Sequence, residues 1–195
     1  RRGNWLVEQK IAFETDRIDA HIRVLDQKQF NFKKQISVHL YLGTSHSLGR
    51  AYIIDDNKNP NNKYQYIRLK LQKPIFCVNG DPFILQDKSA SYIVGGGKVV
   101  DPLAQDFKLK DAHITYLKTL RLENHLDALL NLLKISKNGL SLWKFRSIRN
   151  LKKEEANLLL GKIQARSEKI IIFQDKVEET IFTQKNWNLF LELMV

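Results

Sequence analysis

Ile18, Ala20, Ile22 and Val24 alternate with Asp19, His21 and Arg23, a period of two that predicts a half-buried strand. Ile36, Val38, Leu40 and Leu42 repeat the pattern against Ser37, His39 and Tyr41. Leu48 to Ile54 and Tyr64 to Leu71 predict two more strands, parted by the polar run Asp55-Asp56-Asn57-Lys58-Asn59-Pro60-Asn61-Asn62, which reads as a turn. Shorter strands are expected around Ile75–Val78, Phe83–Gln86 and Ser91–Val100, with Asn79-Gly80-Asp81-Pro82 as another turn. Short strands with regular turns and no intervening helix argue for an antiparallel barrel or sandwich.

After Asp101-Pro102 the period becomes helical. Residues 105–120 read as a connector, helical from about Asp111 to Leu120. Leu122, Leu126, Leu129, Leu130 and Leu133 form one apolar stripe, with Asn138-Gly139 expected as its C-cap. Leu142, Phe145 and Ile148 mark a shorter helix. Asn150 is expected to cap a third, with Glu154 and Glu155 in its first turn and Ala156, Leu159, Leu160 and Ile163 inward. Lys169–Phe173 and Thr180–Thr183 follow as a ribbon, and Thr183 can cap a last helix carrying Trp187, Phe190, Leu191 and Met194. Three helices and a two-stranded ribbon are the order of a winged helix. The fold class is therefore mainly β, an antiparallel barrel followed by an α/β winged-helix domain.

Composition narrows the picture. The 195 residues are 43% hydrophobic and 27% charged, enough to bury a core without disulfides. The net charge of +11 is shared almost evenly, +6 over residues 1–104 and +5 over the rest. That spread over folded surface points to an anionic partner, nucleic acid above all. The single cysteine, Cys77, sits in the apolar run Ile75–Val78 and reads as a buried thiol of a reducing compartment. No membrane span or signal peptide is expected. The opening Arg1-Arg2-Gly3-Asn4-Trp5 has no initiator Met, and Trp187–Val195 reads as a helix stopping in mid-pattern, so a piece of a longer protein is expected.

No catalytic constellation is legible. Gly95-Gly96-Gly97-Lys98 has Tyr92 and Val99 where a phosphate-binding loop needs Gly and Ser or Thr, and reads instead as close backbone packing. The five histidines are scattered, with no metal spacing. Ser45-His46-Ser47 is read as a turn whose side chains point apart. Asp55-Asp56 and Glu178-Glu179 read as solvated turn tips. Nucleic-acid contact has more support. Lys152, Lys153, Lys162 and Arg166 lie on or beside the third helix of the winged unit, the element that enters a groove, and Lys169 and Lys176 lie on the ribbon. On the barrel, Lys33-Lys34, Arg50, Arg68, Lys70 and Lys73 are basic.

Four ordered blocks resemble one family. They are Val38-His39-Leu40-Tyr41-Leu42-Gly43-Thr44 with Leu48-Gly49-Arg50-Ala51, Leu71-Gln72-Lys73-Pro74, Gly80-Asp81-Pro82-Phe83-Ile84-Leu85, and Gly95 to Pro102. Their order and spacing are similar to the third domain of SelB, the bacterial selenocysteine-specific elongation factor related to elongation factor Tu. The resemblance implies residues 1–14 as the tail of a preceding barrel, 15–104 as the elongation-factor-type barrel, 105–120 as connector and 121–195 as the first winged-helix module. It implies binding of selenocysteinyl-tRNA and work at the ribosome in the cytoplasm, with GTP and Mg held by a GTPase domain outside this chain. Later winged helices would read the selenoprotein mRNA hairpin at a UGA codon. The chain itself is expected to be a monomer without cofactor or catalysis.

Departures from the family pattern fall at Pro82 and Gln86, where Arg is usual, and at Tyr92-Ile93. They remove charge-assisted phosphate contacts. The RNA-contact candidates that remain are Arg50, Gln86, Lys88 and Lys98 on the barrel and Lys152, Lys153, Lys162 and Arg166 on the winged helix. Whether that second module reads RNA or is a spacer stays open. The alternative from another class is a winged-helix DNA-binding regulator with a β domain that senses a ligand or dimerises.

Overall fold

A computed structural model describes residues 13–25, 35–55, 64–166, 169–174 and 178–192. Most of the polar run after Asp55, together with Lys33-Lys34, Lys176, Met194 and the N-terminal segment, lies outside the described residues. The chain divides into two compact units, Arg1–Leu117 and Lys118–Val195.

The first unit is a closed six-stranded antiparallel barrel. Its strands are β1 (Thr15–Val24), β2 (Ile36–Leu42), β3 (Ser45–Ile53), β4 (Tyr64–Ile75), β5 (Pro82–Asp87) and β6 (Ile93–Asp101), in the order β1-β4-β3-β2-β5-β6. The alternating apolar positions supply the lumen: Ile18, Ala20 and Ile22 from β1, Val38 and Leu40 from β2, Ile67 and Leu69 from β4, and Leu85 from β5. Each Ile, Leu or Val among them contributes about 1.5–3 kcal/mol by leaving water.

Two local readings change. Ile75 ends the long β4 and Phe76–Val78 is irregular, so no separate strand forms there. Cys77 is nonetheless fully buried, and burial pushes its thiol well above the ordinary value. Ser45-His46-Ser47 is strand and not turn, because the two-residue turn Gly43-Thr44, with Gly43 at φ 56°, already reverses the chain.

Ile18, Asp19 and Ala20 are buried in succession, which a strand with one wet face does not allow. The outer face is covered there by residues 104–113. Asp19, with no exposed surface, accepts from Arg68 Nε and Nη2 at 2.7 and 2.8 Å and from His113 Nε2 at 2.7 Å. Arg68 also donates to the Gln105 carbonyl at 2.6 Å and to Asp106 at 2.7 Å. Arg17 donates to the Ala104 carbonyl and pairs with Asp106 at 3.0 Å. The bidentate bond to Asp19 raises the Arg68 pKa against the desolvation of its burial. Helix α1 (Lys110–Leu120) carries His113 and Tyr116, whose phenol burial and the nearby Asp101 push well above its usual pKa.

The second unit contains α2 (His125–Ile135), β7 (Leu140–Ser141), α3 (Leu142–Arg149), α4 (Lys153–Ala165), β8 (Ile170–Gln174), β9 (Glu179–Thr183) and α5 (Gln184–Glu192). Its antiparallel sheet has the order β7-β9-β8. Leu129, Leu132, Leu133, Phe145, Ile148, Leu160, Ile163, Ile181 and Phe182 make its core. Leu159 is only half-buried, and Leu122 and Leu191 are exposed.

Capping differs from the expectation at two helix ends. The C-cap of α2 is Ser136, whose N–H donates to the Leu132 carbonyl; Gly139 turns three residues later at φ 83°. Asn150 caps the C-terminus of α3 in the left-handed conformation, and not the N-terminus of α4. Lys152 takes the latter place, its N–H donating to Glu155 at 2.7 Å. An Asn serves either end, because its side chain caps N-termini and its backbone tolerates positive φ.

Arg149, buried in the second unit, donates to the carbonyls of Leu120 and Leu122 at 2.7 and 2.6 Å and to His125 Nδ1 at 2.9 Å. Desolvation lowers its pKa to about 10. It also lowers that of His125, with the Arg149 cation adding to the effect.

Two predictions follow from these buried groups. Asp19→Asn removes the buried carboxylate that Arg68 and His113 share and should cost about 3 kcal/mol in denaturant unfolding. A loss below about 1 kcal/mol would show that Asp106 compensates. Because folded His125 binds a proton less readily than the unfolded chain, the second unit should be most stable above the ordinary imidazole value near 6.5 and weaken as pH falls below it. His125→Gln should flatten that acid-side slope in thermal melts; an unchanged slope would assign it to another group.

Candidate nucleic-acid interface

On the barrel, Arg50, Gln86 and Lys88 share one outer wall. In the β2–β3 ladder Arg50 lies opposite Ser37, and in the β2–β5 ladder Gln86 lies opposite His39, two residues along the same face. Three stacked rings continue this wall from His39 away from Arg50: Tyr41 and His46 have centroids 4.7 Å apart, His39 and His46 5.1 Å. His39 Nδ1 lies 2.9 Å from His46 Nε2, and its Nε2 lies 3.1 Å from the Lys88 carbonyl. Histidines scattered in sequence are thus neighbours in space. The β5–β6 turn is held by Asp87, which accepts from the N–H groups of Ser89, Ser91 and Tyr92 and from the Ser89 hydroxyl. These bonds, the Ser89 hydroxyl first, lower its pKa to about 2. Gln86 faces His39, and Pro82 lies opposite Lys98. Lys98 is exposed at the other end of the β5–β6 ladder, away from Gln86.

A second basic surface runs across β1, β4 and β3, where Arg17, Lys70 and Arg50 lie side by side in register. Beside it opens a groove of about 420 Å³ lined by Tyr52, Arg68, Lys70, Phe107, Lys108 and Lys110, among others. The Lys70 ammonium sits 5.6 Å from the Tyr52 ring centroid, and Phe107 stacks on His113 at 4.6 Å. Cations beside aromatic faces suit phosphates and bases together. Lys108, Lys110 and Tyr52 were not legible as a group, because the chain brings them together only through the docking of residues 104–113.

The winged-helix candidates do not form one face. Lys153 and Lys162 are nine residues apart on α4, which at about 100° per residue puts them on opposite sides. Lys162 and Arg166 share a side near the helix end. Lys153 pairs with Glu179 at 3.0 Å, and Glu178 bonds the Ser141 hydroxyl, so these two acids are not simply solvated. Among the described residues no group of three or more His, Cys, Asp or Glu could hold a metal ion, and no helix is long and apolar enough to cross a membrane.

Gly95 and Gly97 are packed on β1: a Cβ on Gly97 would lie 2.1 Å from the His21 carbonyl oxygen, and on Gly95 2.3 Å from that of Arg23. Both belong to the ladder that closes the barrel. The family model for the β-barrel domain of the selenocysteine-specific elongation factor matches residues 16–106. Residues 16–106 are therefore similar to the β-barrel of selenocysteine-specific elongation factors.

The selenocysteine-specific elongation factor of Haemophilus influenzae is 26% identical over 101 residues, which are 52% of this chain and 16% of that protein. That of Desulfomicrobium baculatum is 23% identical over 174 residues, 89% of this chain and 27% of that protein. This chain thus spans about a sixth to a quarter of these SelB relatives. A crystal structure of the bacterial factor EF-Sec matches 97% of this chain and 28% of its own, with a TM-score of 0.60 at 18% identity, and so shares the fold.

The β1–β6 seam carries a prediction. Gly97→Ala should lose about 3 kcal/mol by forcing β6 off β1. Gly96→Ala, whose Cβ would meet only the Phe83 carbonyl oxygen at 3.3 Å, should lose less than about 1 kcal/mol in the same melts. Equal losses would mean that the tight approach at Gly97 is not what closes the barrel.

Proposed function

We propose that this chain is a tRNA-binding and interdomain module of a selenocysteine-specific elongation factor. Its barrel contacts selenocysteinyl-tRNA, and the parent protein brings that tRNA to the ribosome in the cytoplasm for insertion at UGA codons. GTP, with Mg, is bound and hydrolysed elsewhere in the parent, and the mRNA hairpin is read by other winged-helix modules. This chain carries out no reaction of its own and is monomeric.

The observation that carries this reading is a SelB-like barrel whose outer surface presents Arg50 and Lys70 side by side, beside a groove where Tyr52, Lys108 and Lys110 meet. The geometry suits a phosphodiester backbone. Strands stand about 4.8 Å apart, so neighbouring cations can follow consecutive phosphates. The departures at Pro82 and Gln86 shift the weight of contact from the β5 rim to this side, with Lys88 and Lys98 as flanking charges.

The test is a salt titration of binding to selenocysteine tRNA, with elongator tRNA and duplex DNA beside it. Each neutralised phosphate adds roughly 0.7–0.9 to the log–log slope. Tighter binding to the selenocysteine tRNA is expected, and Arg50→Glu with Lys70→Glu should weaken it at least about tenfold, or about 1.4 kcal/mol. Equal, weak binding to all three nucleic acids would sink the reading.

A further inference from the structure

Four lysines of the second unit converge on a cleft that the helix α4 reading passes over. Lys134 stands in the last turn of α2, Lys137 in the turn that follows, Lys169 at the start of the ribbon and Lys185 in the first turn of α5. Together with Thr183, Gln184, Asn186 and Leu189 they line a concavity of about 600 Å³. Among the described residues that line it there is no carboxylate.

The cleft is built and not accidental. Asn186 is only 4% exposed, and its Nδ2 donates to the carbonyl of Leu133 in the last turn of α2 at 3.0 Å and to that of the C-cap Ser136 at 3.1 Å, which also accepts from the Gly139 N–H. That one amide ties α5 to the end of α2. The Gln184 N–H donates to the Lys169 carbonyl at 3.1 Å, tying α5 to the ribbon. The three segments that carry the lysines are therefore fixed to one another while the four ammonium groups stay at the surface.

Concentrated positive charge of this kind is costly to assemble unless a polyanion offsets it. On α4, Lys153 pairs with Glu179, and Glu154 and Glu155 occupy the same turn. Lysines read phosphate as point charges and do not discriminate bases. We propose that this cleft binds the phosphate backbone of RNA, independently of sequence. The choice of RNA rests on the function proposed above; the assignment of a phosphate site rests on the cleft alone.

The experiment measures anisotropy of a fluorescein-labelled RNA hairpin, and of duplex DNA of the same sequence, with the full chain across a salt series. Lys137→Glu with Lys185→Glu should lower RNA affinity at least tenfold and reduce the log–log salt slope by about 1.4–1.8. Lys137→Arg with Lys185→Arg should stay within twofold of the parent, which separates charge from a folding defect. Lys152→Glu with Lys162→Glu should change affinity less than threefold. Unchanged binding after the Lys137 and Lys185 reversals overturns the cleft; if Arg50→Glu with Lys70→Glu still weakens binding, the barrel reading stands without it. Loss from the cleft pair alone supports the cleft and removes the barrel contact. Equal losses for RNA and duplex DNA overturn the assignment to RNA.

Discussion

Everything in the first unit hangs on β1. It is the strand that closes the barrel, pairing with β4 on one side and β6 on the other. Closure works because β6 brings no Cβ to the tightest points of that seam, and because β1 shifts register between Asp19 and Ala20. Such irregularities re-aim a side chain, and here the residue at the shift is the carboxylate that holds Arg68 and His113. One strand thereby closes the barrel and anchors the segment that covers its outer face. A buried ion pair is not in itself a strong source of stability. Its value here is placement, because Asp19 decides where residues 104–113 lie and hence where the groove beside Tyr52 opens.

The strands were legible because a barrel wall has a dry side and a wet side, and that asymmetry is written every second residue. Helix existence was equally legible from the leucine spacing of α2 and the short apolar set of α3. Helix ends were not, and Asn150 shows why. Its residue type suits both an N-cap and a left-handed C-cap, and only the path of the chain chooses between them. Long-range chemistry was the least legible. Asp19 lies 49 residues from Arg68 and 94 from His113, and no local pattern links them. The stacked His39, His46 and Tyr41 depend on the register of β2 against β3, and the lysine cleft on a single amide that ties α5 to α2.

Charge illustrates the same point at larger scale. The overall excess was plain, but its division into working surfaces was not. At physiological salt, screening acts over about 8 Å, so cations cooperate only where the fold crowds them. Arg17, Lys70 and Arg50 on adjacent strands satisfy that condition, and so do the four cleft lysines. Lys153 and Lys162, on opposite sides of one helix, do not. A count of basic residues on an element is therefore a poor guide to its contacts, and neighbour relations across elements are a better one.

Cys77 offers a practical opening. It is the chain's one thiol, it is sealed in the barrel wall, and burial keeps it in the unreactive protonated form. A cysteine introduced at any exposed position would be the only one to meet a maleimide dye, with no need to remove the native residue. Paired reporters on the two units could then follow their separation directly.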